Sequence, residues 1–202
     1  MKYDYIIVGA GSAGCVIANR LSEDPSNEVL LLEAGGSDRR FFIQMPIGYG
    51  VTYHQKAVNW MYMTEPSPDA DNKPSYWPRG KVMGGSSSIN AMVYVRGNPK
   101  DFDQWSEAGN PGWSYSDVLP YFKKMESWQN GPDDYRGGDG PLNVSEVSEQ
   151  LHPLCQNFLS AAQEIGIGLN KDMNGATQEG VGNYQITTHK GQRMSSSRAY
   201  LW

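Results

Sequence analysis

Tyr5-Ile-Ile-Val-Gly-Ala-Gly-Ser-Ala-Gly14, a helical run, and then Val29-Leu-Leu-Leu-Glu33 decide the fold of this chain. Tyr5 to Val8 is a short apolar, β-branched run of the kind that forms a strand buried on both faces. Gly9 permits a tight turn out of that strand. Gly11 has no Cβ, so a pyrophosphate can approach the backbone, and Gly14 lets the next helix pack closely on the strand. A helix from about Ser12 to Leu21, with Ala13 in its first turn, aims free N–H groups and the positive end of its dipole at that phosphate. A second strand ends at Glu33, about twenty residues past Gly14, where a carboxylate can accept hydrogen bonds from ribose hydroxyls. Ala34 stands beside it at the strand tip. A glycine turn alone is a weak signal, but here the strand, the helix and the acid are all in place. The acid would repel a 2′-phosphate, so the motif fits FAD or NAD better than NADP and does not choose between the first two.

Composition is that of a globular chain and argues against other classes. Of 202 residues, 39% are hydrophobic and 23 are glycine, which is enough for one large domain or two small ones. The net charge of −5, with 17 basic and 22 acidic residues and no basic run, argues against nucleic acid as a partner. No apolar run reaches the length of a membrane span. The first strand starts too early for a signal peptide to precede it, so the cytoplasm is the expected location. Cys15 and Cys155 fit no metal or redox spacing and read as inert thiols, and no metal site is expected.

Past the fingerprint, residues 36–58 show no clear period and read as an irregular excursion. Asn59 to Thr64 reads as a short strand, with Trp60 either packed in a core or lining a cofactor. Glu65 to Pro78 reads as a loop. The second informative stretch is Arg79-Gly-Lys-Val-Met-Gly-Gly-Ser-Ser-Ser-Ile-Asn90, continuing to Gly97. Gly84 and Gly85 let a backbone come close, and Ser86, Ser87 and Ser88 can cap a helix starting here. This is either a second anion site or a glycine turn leading into a capped helix. Helices are expected from Pro99 to about Ala108, from a cap at Ser116 or Asp117 to Met125, and from His152 to Ile165 before Gly166. A serine-capped helix is expected within Met194 to Trp202. Short strands are expected at Leu142–Val147 and Asn183–Thr187. His54, His152 and His189 sit in no catalytic motif and read as surface or structural residues.

These residues resemble the N-terminal part of the glucose–methanol–choline (GMC) oxidoreductases, in particular their bacterial choline and alcohol dehydrogenase branch. The resemblance covers the whole chain. It rests on Gly9 to Gly14 with Glu33, on Arg79 to Asn90, on Asn110-Pro-Gly-Trp-Ser-Tyr115, and on Gly191-Gln-Arg-Met-Ser-Ser-Ser-Arg-Ala-Tyr-Leu201. The second block is the most specific. The resemblance implies an α/β, Rossmann-like FAD-binding fold, incomplete here and joined by the start of a substrate-binding domain. On it, 1–35 is the dinucleotide fingerprint, 79–97 the second flavin-contacting block, and about 98–202 a mixture of both domains. It implies an FAD that oxidises the CH–OH group of choline or another primary alcohol by taking a hydride at flavin N5. Arg79, Val82, Asn90, Ala91, Met92 and Val93 join the candidate cofactor residues on that basis. Some members carry His at the position of Asn90 and link it to FAD. Asn cannot form that link, so noncovalent FAD is expected. The family's catalytic His lies beyond Trp202, leaving the catalytic residues unassigned and the electron acceptor unknown. The alternatives are a noncatalytic flavin-binding module that works with a complementary C-terminal chain, and an NAD-dependent Rossmann dehydrogenase. The latter has no need of a second phosphate loop.

Overall fold

A computed structural model describes residues 2–202. They form two compact units. One holds the chain up to Met92 together with Thr188–Trp202; the other is Val93–Thr187.

The first unit is built on the fingerprint. β1 (Tyr5–Val8), α1 (Ser12–Leu21) and β2 (Val29–Leu32) form a β-α-β unit, with β1 and β2 parallel in the register Tyr5↔Val29 through Val8↔Leu32. A Cβ on Gly14 would lie 1.9 Å from the Gly9 carbonyl oxygen, so only glycine lets α1 sit this close to the turn. The expected burial of β1 on both faces is not met. Val8 is 83% exposed and Ile6 59%, because among the described residues β2 is the only strand paired with β1.

Residues 36–58 are more ordered than the sequence suggests. They contain α2 (Phe41–Gln44), a 3-10 turn at Pro46–Gly48 and α3 (Tyr49–Thr52). Elements of one turn are too short to show a period. Ile43, Val58, Val82 and Ile89 form the buried cluster beneath them. β3 (Tyr62–Met63) and β4 (Tyr76–Trp77) pair antiparallel, so the expected 65–78 loop ends in a strand. Ser86, Ser87 and Ser88 do not cap an α-helix. Gly85–Ser88 is a single 3-10 turn. Ser87 Oγ donates to the Gly84 carbonyl at 2.6 Å and Ser88 Oγ to the Met83 carbonyl at 2.6 Å. Hydroxyls that bond backward in this way compete with helix propagation.

The second unit starts with β5 (Val93–Tyr94), then α4 (Pro99–Glu107) and α5 (Tyr115–Met125). The cap of α5 is Ser114, not Ser116 or Asp117. Its hydroxyl accepts from the Asp117 N–H at 3.3 Å while the Asp117 carboxylate accepts from the Ser114 N–H at 3.1 Å, a capping box. Phe102 on α4 meets Trp105, Tyr115 and Phe122. β6 (Glu126–Trp128) and β7 (Leu142–Val144) run parallel. α6 (Leu154–Glu164) and β8 (Gln185–Ile186), antiparallel to β5, complete the unit.

A buried ion network ties this unit together. Glu126, 0% exposed, accepts from Arg96 Nη2 at 2.7 Å and from Arg136 Nη2 at 2.5 Å. Arg136 Nη1 reaches Asp172 Oδ2 at 2.7 Å, and its guanidinium stacks on Trp128 at 4.1 Å. Burial alone would lower the Arg136 pKa. Its hydrogen bonds and charge pairing with Glu126 and Asp172 outweigh that and hold it above the usual value.

The chain then returns to the first unit through β9 (Thr188–His189) and β10 (Gln192–Arg193), which are antiparallel, and α7 (Ser196–Tyr200). Ser195 caps α7, accepting from the Arg198 N–H at 3.3 Å. α7 packs on α1: Asn19 Nδ2 donates to the Tyr200 carbonyl at 2.8 Å, and Tyr200 joins Ala10 and Cys15 in a buried cluster. Among the described residues no helix is long and apolar enough to cross a membrane.

Candidate nucleotide site

The two glycine-rich blocks meet in the first unit. The Gly84 N–H donates to the Ala10 carbonyl at 2.7 Å. A Cβ on Gly85 would lie 2.8 Å from the Cα of Gly11. The Met83 N–H donates to the Gly36 carbonyl at 3.0 Å, so the second block runs alongside the exit of β2. A side chain at position 85 could not be fitted at this range, so the contact requires glycine there.

Where the blocks meet, a cleft of about 800 Å³ opens, lined by Gly9, Gly11, Ser12, Glu33, Ala34, Trp60, Arg79, Gly85 and Ser86 among others. A Cβ on Gly11 would meet nothing within 4 Å; the backbone there faces open space. α1 begins at Gly11 without any side-chain cap. Its first-turn N–H groups are therefore left for a ligand, and the dipole favours an anion there. Glu33 closes one wall. Its Oε2 accepts from the Ala10 N–H at 2.8 Å and its Oε1 from the Gly35 N–H at 2.8 Å. One carboxylate thus braces the glycine turn against the end of β2, and each oxygen keeps a lone pair for another donor.

Trp60, Tyr62 and Arg79 bring aromatic rings and a cation to the lining. Trp60 stacks on Tyr62 with centroids 5.8 Å apart and planes 5° off parallel. Lys81 Nζ sits 4.6 Å above the Trp60 ring, and the Arg79 guanidinium lies over Trp77 at 4.8 Å. Val8, Leu32, Tyr62 and Gly80 line the cleft too, though sequence reasoning did not single them out. Tyr62 stands two residues past Trp60 in the stretch read as a strand, a spacing that could have marked it, although the strand begins only at Tyr62 and Met61 is left-handed, φ 57°.

Other candidates lie elsewhere. Ala13 and Gly14 sit within α1, with Gly14 packed on the turn. Val82 is wholly buried in the cluster with Ile43 and Ile89. Asn90 to Met92 follow the 3-10 turn, and Met92 takes a left-handed backbone, φ 63°. Val93 opens the second unit as part of β5. None of the histidines lines the cleft. His54 stacks on Tyr76 and His152 accepts from the Leu154 N–H. Burial pushes the Cys15 thiol up to about 11, which keeps it protonated and inert. Among the described residues, no cluster of three or more metal-binding side chains occurs.

A β-α-β turn with an uncapped helix start, an acid at the second strand tip and a cleft between them define a dinucleotide-binding α/β unit. Residues 3–202 match the GMC oxidoreductase family, and the chain belongs to it, as its N-terminal part. It is 52% identical over 200 residues to an oxygen-dependent choline dehydrogenase of Photobacterium profundum, covering 98% of this chain and 35% of that protein. It is 50% identical over 200 residues to an alcohol dehydrogenase [acceptor] of Pseudomonas putida, covering 98% and 36%. Among solved structures, a pyridoxine 4-oxidase from Mesorbium loti superposes with a TM-score of 0.94 at 34% identity, over 100% of this chain and 40% of that one. An FAD-dependent oxidoreductase from Chaetomium thermophilum superposes with a TM-score of 0.89 at 32% identity, over 98% and 36%. The chain thus spans little more than a third of the length of these relatives.

Proposed function

We propose that this chain is the FAD-binding part of an enzyme that oxidises the CH–OH group of an alcohol, choline or another primary alcohol. The observation that carries the reading is the junction of the two glycine blocks, Gly84 on Ala10 and Gly85 on Gly11, at the mouth of one cleft with Glu33 on its wall. The relatives named choline dehydrogenase and alcohol dehydrogenase support the substrate class.

The residues present fit FAD. The open side of Gly11 and the uncapped start of α1, with Ser12 and Ala13, suit a pyrophosphate. The free lone pairs of Glu33 suit ribose hydroxyls. Arg79 on the lining offsets phosphate charge, and Trp60 offers a flat apolar wall. Bound FAD supplies a two-electron acceptor for the hydride leaving the alcohol carbon. Asn90 carries an amide with no nucleophile, so the cofactor is held without a covalent bond. The base that takes the hydroxyl proton must stand within about 3 Å of it, or act through one water. Family resemblance assigns that base to the region beyond Trp202.

The test is dye reduction by the FAD-loaded protein that carries this chain, with choline and a panel of primary alcohols. Turnover with at least one of them, abolished by Gly11→Val, is expected. A loaded protein that reduces the dye with NADH and with no alcohol would contradict the reading.

A further inference from the structure

The second unit contains the dipeptide Asn-Gly at two places, Asn130-Gly131 and Asn174-Gly175. An asparagine followed by glycine can react with its own backbone. The nitrogen of the next residue attacks the side-chain carbonyl carbon, and a residue without a Cβ leaves that approach open. The fold puts the two asparagines in opposite surroundings.

Asn174 is 2% exposed, and both ends of its carboxamide are held. Its Oδ1 accepts from the Arg96 N–H at 2.7 Å. Its Nδ2 donates to the Tyr94 carbonyl at 3.2 Å and to Gln185 Oε1 at 2.5 Å. Gly175 is hemmed in as well, since a Cβ there would meet the Asp172 carbonyl oxygen at 3.3 Å. The Asn174 side chain cannot swing toward the Gly175 nitrogen without breaking three hydrogen bonds in the interior, where an unpaired polar group is costly.

Asn130 is exposed, and its side chain makes no hydrogen bond to any described residue. It lies in the turn that follows β6. Gly131 has a left-handed backbone, φ 88°, and a Cβ there would meet nothing within 4 Å. One contact restrains the attacking nitrogen: the Gly131 N–H donates to the Trp128 carbonyl at 3.0 Å. That is a single turn bond beside the exposed Gln129 and Asn130, and surface turns of this kind open locally at little cost.

We propose that Asn130 is a site of spontaneous deamidation and that the fold protects Asn174 from the same reaction. The Gly131 nitrogen gives up its proton to solvent and bonds to the Asn130 side-chain carbon. The bond from that carbon to Nδ2 breaks, ammonia leaves, and a cyclic succinimide remains. Water then opens the ring at either carbonyl, giving aspartate or isoaspartate. Nothing is oxidised or reduced, and water is the only co-reactant. Either product adds a negative charge to the turn, and isoaspartate also inserts an extra carbon into the backbone. The turn is tied to β6, which carries Glu126 of the buried ion network and Trp128 under the Arg136 guanidinium. The isoaspartyl form therefore loosens the second unit.

The experiment incubates the protein carrying this chain for days at mildly alkaline pH, once folded and once in urea. Trypsin releases the two sites in separate peptides, 125–136 and 172–190, and mass spectrometry reads in each the gain of an amide turned acid. In the folded protein Asn130 should convert faster than Asn174 by roughly thirtyfold or more, the difference between three buried hydrogen bonds and one at an exposed turn. In urea the two should convert at similar rates. The urea midpoint of the folded wild type should fall as isoaspartate accumulates. Asn130→Gln, whose longer side chain closes the ring far more slowly, should keep its midpoint over the same incubation. An Asn130 that stays intact in the folded protein, or an Asn174 that converts as fast, would overturn the proposal. An equal fall of the midpoint in Asn130→Gln would overturn the link from this turn to β6.

Discussion

Gly11 and Gly14 stand one helical turn apart and answer to opposite constraints. A Cβ at Gly14 would strike the Gly9 carbonyl oxygen at 1.9 Å, whereas one at Gly11 would meet only open space. Gly11→Val should therefore leave the fold intact and abolish FAD binding, with unchanged circular dichroism and no flavin in the purified protein. Gly14→Val should instead break the turn and lower the melting temperature. Glu33 braces the turn, and the proposed function gives it ribose as well. Glu33→Ala removes a charged acceptor from ribose, worth about 1.5–3 kcal/mol, so FAD affinity should fall roughly tenfold or more in a titration. It also frees the Ala10 and Gly35 N–H groups, so the unliganded protein should melt at a lower temperature as well. Unchanged affinity would mean that the acid serves the turn alone. The place of the acid at the tip of the second strand was legible in the sequence. The brace was not, because it depends on where the Ala10 N–H points once the turn has closed.

At the scale of elements, legibility followed period length. β1, α1 and β2 lie where the apolar runs and the glycine spacing place them. The one-turn helices α2 and α3 carry no readable period. Ser86 to Ser88 look like a cap, yet their hydroxyls bond backward to Gly84 and Met83. Ser114 was passed over for Ser116 and Asp117 because three capping residues stand close together, and only the reciprocal bond separates them. The network of Arg96, Glu126, Arg136 and Asp172 was invisible, since its members are scattered over the second unit and none belongs to a motif. Its energetics can be checked. Removing one partner of a buried pair costs about 3–5 kcal/mol because the other charges stay buried. Glu126→Ala should thus lower the urea midpoint of the protein by a corresponding amount, or prevent folding of the second unit. A midpoint within error of wild type would show that the network is not load-sharing.

For the whole molecule, exposed apolar surface matters most. Val8 and Ile6 on β1 and Leu154, Phe158 and Ile165 in and beside α6 are all more than half exposed. Apolar faces of this extent ordinarily meet another surface. Residues 1–202 expressed alone should therefore self-associate, bind a hydrophobic dye strongly and turn over no alcohol. A monodisperse monomer in light scattering would contradict that. The fold class was legible in the first thirty-five residues, and much of the cleft's lining in those residues and in the block from Arg79 to Ser86. The contacts that hold Asn174 depended on long-range packing that no local pattern encodes.

The most direct measurement is the absorption spectrum of the purified protein carrying this chain, before and after acid precipitation. Flavin bands in the native protein that pass wholly into the supernatant are the predicted result. A folded protein with no flavin bands that takes up no added FAD, or yellow colour that stays in the pellet, would contradict it.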